Sequence, residues 1–151
     1  ALGLAIIATS LAAFAAGSGS GTESNASSAV SLSTEMRKAQ VLVKKEAFAE
    51  ALGLLQAEVA SNPDNADAWN LIGYSARNLG DYETSQNAYD KALAIEPGHK
   101  GALEYKGELY LVLGNLEGAE ALLAKLRKVC SFNCDEVDDL KDAIAAYKKA
   151  Q

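Results

Sequence analysis

Two cysteines, Cys130 and Cys134, stand in the run VCSFNC and are the only thiols in the chain. A CxxxC spacing brings two Cα atoms to about 6 Å in a helix-like turn, within reach of a disulfide. Closing so short a loop contributes about 2 kcal/mol in the chain-entropy model, less any strain. An even count in an exported chain fits a bond; free thiols and a redox-active or metal-binding pair are the alternatives. Thioredoxin-type redox chemistry uses CxxC, a different spacing. Zinc takes four ligands, or three and a water, and one histidine with two cysteines falls short unless carboxylates join. The pair therefore reads as a structural staple.

The other reactive side chains form no set. His99 is the single histidine, in the turn after Pro97, with no serine, cysteine or carboxylate at a recognisable motif spacing. It reads as a solvated loop residue. Asp138 and Asp139 read as a solvated helix start. Glycine is frequent, but neither GxGxxG after a strand nor GxxxxGK[ST] occurs, so phosphate cradles are absent. We expect no enzyme, no cofactor and no metal.

The chain has 151 residues, 49% hydrophobic and 23% charged, with a formal net charge of −6 and two prolines. Such composition suits one soluble helical domain, and the negative charge gives no attraction to nucleic acid. Residues 1–16 carry no charge, and Ala13-Phe14-Ala15 fits the small-x-small pattern of signal cleavage. The stretch is short of the ~20 apolar residues that a membrane span needs. It reads as a signal peptide, its basic segment expected upstream of Ala1; a truncated membrane anchor is the alternative. Residues 17–31, rich in Gly and Ser, read as a flexible linker.

Beyond residue 32 the sequence repeats at an interval of 34: Trp69 and Leu103, Gly73 and Gly107, Gly80 and Gly114, Pro63 and Pro97. Phe48 and Tyr82 share the interval, as do Ala51, Ser85 and Ala119, and Leu55, Tyr89 and Leu123. A fixed period with matched residue classes means stacked supersecondary units. The middle unit predicts one helix over 66–79, with Trp69, Ile72, Gly73 and Ala76 on the core face. Gly80-Asp81 supplies the turn, and a second helix over 82–96 ends at Pro97-Gly98. Gly73 and Ser85 fall where the two helices must cross closely. A last helix over 135–151 carries Val137, Leu140, Ile144 and Tyr147 in a stripe, with a capping box expected from Asn133 and Glu136.

Trp69-x2-Ile72-Gly73, Ser85-x3-Tyr89 and Pro97 resemble the signature of the tetratricopeptide repeat (TPR) family. The third unit keeps Gly107, Tyr110, Ala119 and Leu123, and the first is degenerate in its leading helix. The resemblance implies an all-α, right-handed α-solenoid of three TPR helix pairs plus a C-terminal capping helix. The units fall at about 32–65, 66–99 and 100–133, together 32–134, followed by the cap at 135–151.

In TPR proteins the leading helices line a concave groove that holds other polypeptides. Carried onto this sequence, the groove comprises Met36, Gln40 and Val43, then Asn70, Tyr74 and Arg77, then Glu104, Glu108 and Leu111. Chaperone-binding members grip an acidic C-terminal tail with cations, and Glu104 and Glu108 stand where those cations would be needed. The implied partner is a protein or peptide, a basic and apolar segment rather than an acidic one. No nucleic acid is expected, and a membrane enters only as an N-terminal anchor. The leading reading is a non-enzymatic adaptor in the cell envelope, in a bacterial periplasm or anchored facing it. The alternatives are a structural module that self-associates through solenoid ends, and a thiol-disulfide protein using Cys130 and Cys134.

Overall fold

The structure is a computed structural model that describes residues 32–151; the segments at 1–16 and 17–31 lie outside the described residues. Seven helices follow one another: α1 (Thr34–Lys44), α2 (Phe48–Ser61), α3 (Ala66–Asn78), α4 (Tyr82–Ile95), α5 (Lys100–Val112), α6 (Leu116–Val129) and α7 (Asp135–Lys149). There are no strands among the described residues. The fold is an all-α helical solenoid.

The helix starts repeat as faithfully as the core. Asn65 precedes α3 and its side chain accepts from Ala68 N at 3.0 Å. Thirty-four residues on, His99 precedes α5 and its Nδ1 accepts from Ala102 N at 3.0 Å. Asp81 and Asn115 cap α4 and α6 in the same way, each satisfying an otherwise orphaned amide of the first turn. Between paired helices, Gly80 and Gly114 adopt φ of +81° and +75°, a conformation that costs glycine nothing. The first pair has Glu46 there instead, at φ +58°.

Helix pairs close through small residues. Ser85 Oγ donates to the Gly73 carbonyl at 2.7 Å, and a Cβ added at Gly73 would lie 2.5 Å from the Tyr89 ring. The core runs through Met36, Ala39, Leu55, Ala68, Ile72, Tyr89, Leu103, Leu109, Leu126 and Leu140, all buried. Trp69 packs against two core clusters, as its place on the core face predicts, without being fully buried. It is half-buried, its indole N–H donates to the Pro63 carbonyl at 2.7 Å, and the Lys91 ammonium lies 4.1 Å from the ring centroid. One edge faces solvent because the ring lies over the turn that carries Pro63.

The stack is curved. Leading helices touch in succession, α1 with α3, α3 with α5 and α5 with α7, whereas α2 and α4, or α4 and α6, do not meet. Helices that crowd on one side and separate on the other bend the stack, with α1, α3, α5 and α7 on the concave face. At its end α7 packs on both α5 and α6, burying Leu140 and Ile144. The expected Asn133–Glu136 capping box is not formed. Cys134 occupies the position before α7 without a side-chain cap, and Asn133 adopts φ +41° in the loop. The Cys130 and Cys134 sulfurs are bonded, with Cα atoms 6.1 Å apart.

Candidate functional site

Each leading helix offers the concave face the same three slots, and the structure treats them unequally. The first slot holds Met36, Asn70 and Glu104, spaced by the repeat interval, and all three are buried. Helical projection alone points these side chains into the groove. The side-by-side approach of α1, α3 and α5 covers them, so they form its floor. Met36 belongs to the first core cluster. Leu111, expected to flank the groove, lies in the core cluster of α5, α6 and α7. Gln40, Val43, Tyr74, Arg77 and Glu108 are half-buried and remain accessible.

Two regions result. Between α1 and α3, a depression is lined by Met36, Gln40, Val43, Lys44, Asp67, Asn70 and Leu71. Asn70 is only 7% exposed, and its Oδ1 has no hydrogen-bond donor. A buried carbonyl oxygen left unpaired costs about 1–3 kcal/mol.

The second region spans α3, α5 and α7. Tyr74 meets Phe48 edge-on at 5.9 Å and Tyr105 in a tilted arrangement at 4.8 Å. The Arg77 guanidinium lies 5.5 and 5.7 Å from the Tyr74 and Tyr105 ring centroids and pairs with Glu108. Burial pushes the Tyr105 phenol up to about 12. Glu104 is 6% exposed, not the open carboxylate that its spacing from Glu108 suggests. Burial first, then the charges of Glu108, Asp139 and Glu136, raise its pKa to about 8, against a smaller lowering by Arg77. These surroundings favour its protonated form.

Two residues escaped the sequence reading. His99 is 8% exposed rather than solvated; while Nδ1 caps α5, Nε2 meets Asp67 Oδ1 at 2.9 Å. That hydrogen bond lowers the Asp67 pKa and raises that of His99. The interval from Asn65, itself a cap, was the available signal. Glu58 is buried on α2 where α4 and α6 have Ala92 and Leu126. Its carboxylate accepts from Ser33 Oγ and from Asn65 Nδ2, the latter at 2.8 Å, tying together the residues that cap α1 and α3. Both bonds lower its pKa.

Among the described residues no helix is long and apolar enough to cross a membrane, and no cluster of three or more His, Cys, Asp or Glu could hold a metal ion.

The family described as "Tetratricopeptide repeat" matches residues 36–84 and 70–129. The chain belongs to the tetratricopeptide repeat family. Protein FlbA of Caulobacter vibrioides is 33% identical over 72 residues; the match spans 48% of this chain and only 12% of FlbA. Among solved structures, the first TPR of Spaghetti (RPAP3) bound to the HSP90 peptide SRMEEVD aligns with a TM-score of 0.66 at 16% identity, over 76% of this chain and 90% of that one. The Yersinia enterocolitica type III secretion chaperone SycD, in complex with a peptide of the translocator YopD, aligns with a TM-score of 0.64 at 17% identity. That alignment covers 76% of this chain and 86% of SycD. At these identities the likeness is one of fold.

Proposed function

We propose that this protein is a non-enzymatic adaptor that binds a peptide or protein segment along its concave face. The observation that carries the reading is the unpaired Asn70 Oδ1 on the floor of the α1–α3 depression. A polypeptide lying in the groove contacts Val43 and Leu71 with its apolar side chains, and a small turn of the Asn70 side chain brings its unpaired oxygen to a backbone N–H of the ligand. Tyr74 adds an aromatic face farther along, and aromatic contacts tend to dominate such interfaces. Structures of similar fold that hold peptides, RPAP3 and SycD, support a peptide ligand. The acidic half of the groove favours a segment carrying basic and apolar side chains.

We place the protein in the cell envelope, on the strength of the uncharged residues 1–16 and the cysteine pair. Affinity capture with crosslinking in an extract of the native envelope identifies the partner. Calorimetric titration then tests the groove: Asn70→Ala and Tyr74→Ala should each weaken binding by about 1 kcal/mol or more. Unchanged affinity in both folded variants would move the partner off the concave face.

A second reading has its own observation. Val41, 51% exposed, forms with Leu42 and Leu54 an apolar patch beside Arg37 and Lys38 at the N-terminal end of the stack. Self-association through that end would cover it. A molar mass rising with concentration in size-exclusion light scattering, and lost in Val41→Glu, would favour this module reading.

A further inference from the structure

Glu104 poses a problem that the fold does not solve. Glu104 as a residue is only 6% exposed, yet its carboxyl takes part in no hydrogen bond or ion pair among the described residues. Replacement by leucine or methionine would fill the slot at less cost, as Met36 does in α1. The surroundings make an acid still less welcome. Glu108 stands one turn along α5, α7 brings Glu136 and Asp139, and all three charges act on Glu104. Arg77, from α3, is the one cation among the groups that act on it, and Arg77 is already paired with Glu108. Tyr105 follows Glu104 in α5, and its ring lies 4.8 Å from that of Tyr74. The wall is thus aromatic and its charge negative, with one cation against three carboxylates.

We infer that the α5–α7 end of the groove is a subsite for a basic side chain, arginine or lysine, of the bound polypeptide, with Glu104 as its buried counter-charge. Glu108, Glu136 and Asp139 form the rim that draws the cation in. The Tyr74 and Tyr105 faces already carry the chain's own Arg77 guanidinium. The incoming cation is therefore held by charge and hydrogen bonding to carboxylates, which a guanidinium fork and an ammonium both supply. The inference rests on the concave face being the binding face, and it names the chemistry that one end of that face selects. It carries a consequence that a rim of surface acids would not. In the free protein burial and the neighbouring carboxylates favour the protonated form of Glu104. An arriving ammonium or guanidinium favours the carboxylate, so the proton passes to solvent and binding is coupled to proton release.

Small cations test the subsite without the partner. Protein carrying 13C-labelled glutamate is titrated with n-butylguanidinium and n-butylammonium, with n-butanol as the neutral control, while the Glu104 Cδ resonance is followed by NMR. We expect saturable shifts of Glu104 Cδ and of the Tyr105 amide with either cation and none with n-butanol. In saturating cation the Glu104 titration midpoint should fall by at least one pH unit. Comparing the two cations shows whether guanidinium binds more tightly. Glu104→Gln should weaken cation binding at least tenfold. A Glu104 titration that neither cation moves would overturn the subsite, and this wild-type measurement holds whether or not the variant folds. So would tyrosine amide shifts that saturate identically in Glu104→Gln. A captured partner that fails to displace a bound cation would instead overturn the groove reading and leave the subsite standing.

Discussion

The two halves of the concave face are built from equivalent repeat positions and differ in chemistry. In the α1–α3 half, Met36 and Asn70 form the floor of an open depression edged by Lys44 and Asp67. In the α5–α7 half the same slot holds Glu104, walled by tyrosines and surrounded by carboxylates. The repeat dictates where a side chain sits and how deeply it is covered, because neighbouring leading helices always meet there. It does not dictate what the side chain is. A solenoid can therefore present an apolar residue, an amide and an acid in series without altering its backbone.

The halves also differ in how firmly they are packed, and the largest expected effect tests this. In α3, Gly73→Ala places a methyl 2.5 Å from the Tyr89 ring, a rigid group held at 0% exposure. We expect a loss of about 2–3 kcal/mol in urea denaturation. The equivalent Gly107→Ala meets the Leu140 methyls at 2.6 Å, the far end of a side chain that can change rotamer. Alanine also favours the helix by about 1 kcal/mol over glycine, so the net loss should be about 1 kcal/mol or less. Equal losses would show that α7 grips α5 as firmly as α4 grips α3.

Acid–base behaviour should separate the halves next. Glu104 has a folded pKa of about 8, above the 4.5 of the free acid, so its ionisation opposes folding. The penalty is absent below pH 4.5, grows as pH rises, and is complete above 8. Asp67 has the opposite sign. Its pKa is lowered by His99, so its contribution is present above 3.8 and is lost as pH falls through the folded value. Stability should peak in mildly acidic solution and decline toward pH 9. Glu104→Gln should flatten the alkaline side, stabilising the fold at pH 8 and leaving it unchanged at pH 4, in melts across that range. His99, whose pKa the Asp67 hydrogen bond raises, adds a decline of the same sign that the substitution leaves in place. The test is therefore the difference between the two proteins: no difference at pH 8 would mean that Glu104 is not a group whose ionisation opposes folding.

These contrasts mark what could be read from the chain. The fold was legible because the interval joining Gly73 to Gly107 and Pro63 to Pro97 records local requirements, close helix crossings and turns, that sequence displays directly. The groove was legible only as a face. A helical projection cannot show that α3 and α5 come together over Asn70 and Glu104, since that seam depends on how successive pairs stack. Leu111 was expected at the groove and lies in the core for the same reason, while Met36 lines the depression as a buried floor residue. Glu58 was invisible because its partners, Ser33 and Asn65, lie on the near side of two different helix starts. His99 could have been found: Asn65, 34 residues earlier, has the type of a helix cap, and histidine can accept the same bond through Nδ1.

The α5–α7 half alone has a covalent staple. The bond between Cys130 and Cys134 closes the loop that sets where α7 begins, and Phe132 within it is 84% exposed. Little packing otherwise holds that loop. Replacing both cysteines by serine should cost about 2 kcal/mol or less in thermal unfolding. The first amides to gain hydrogen exchange should be those of α7, while α1 and α3 stay protected. Exchange rising equally along the concave layer would show that the staple supports the whole stack.

The smallest effect belongs to the joint between the halves. His99 caps α5 through Nδ1 and reaches back to Asp67 on α3 through Nε2, so a neutral ring carries its proton on Nε2 and donates to the carboxylate. Two contributions are combined in one side chain, and three variants separate them. His99→Ala removes both and should cost about 1 kcal/mol, the usual value of a lost cap. His99→Asn restores an acceptor of the kind that Asn65 provides for α3, but gives up the link to Asp67. The Asp67 side chain is 66% exposed, and pairs so open to water are worth about 0–1 kcal/mol. His99→Asn should therefore stay within about 0.5 kcal/mol of the parent, and Asp67→Asn should match it. Urea denaturation at pH 7 in low salt resolves the three. If His99→Asn falls as far as His99→Ala, the tether outweighs the cap. The two halves of the groove would then be coupled through Asp67, at the edge of the depression where the ligand is proposed to lie.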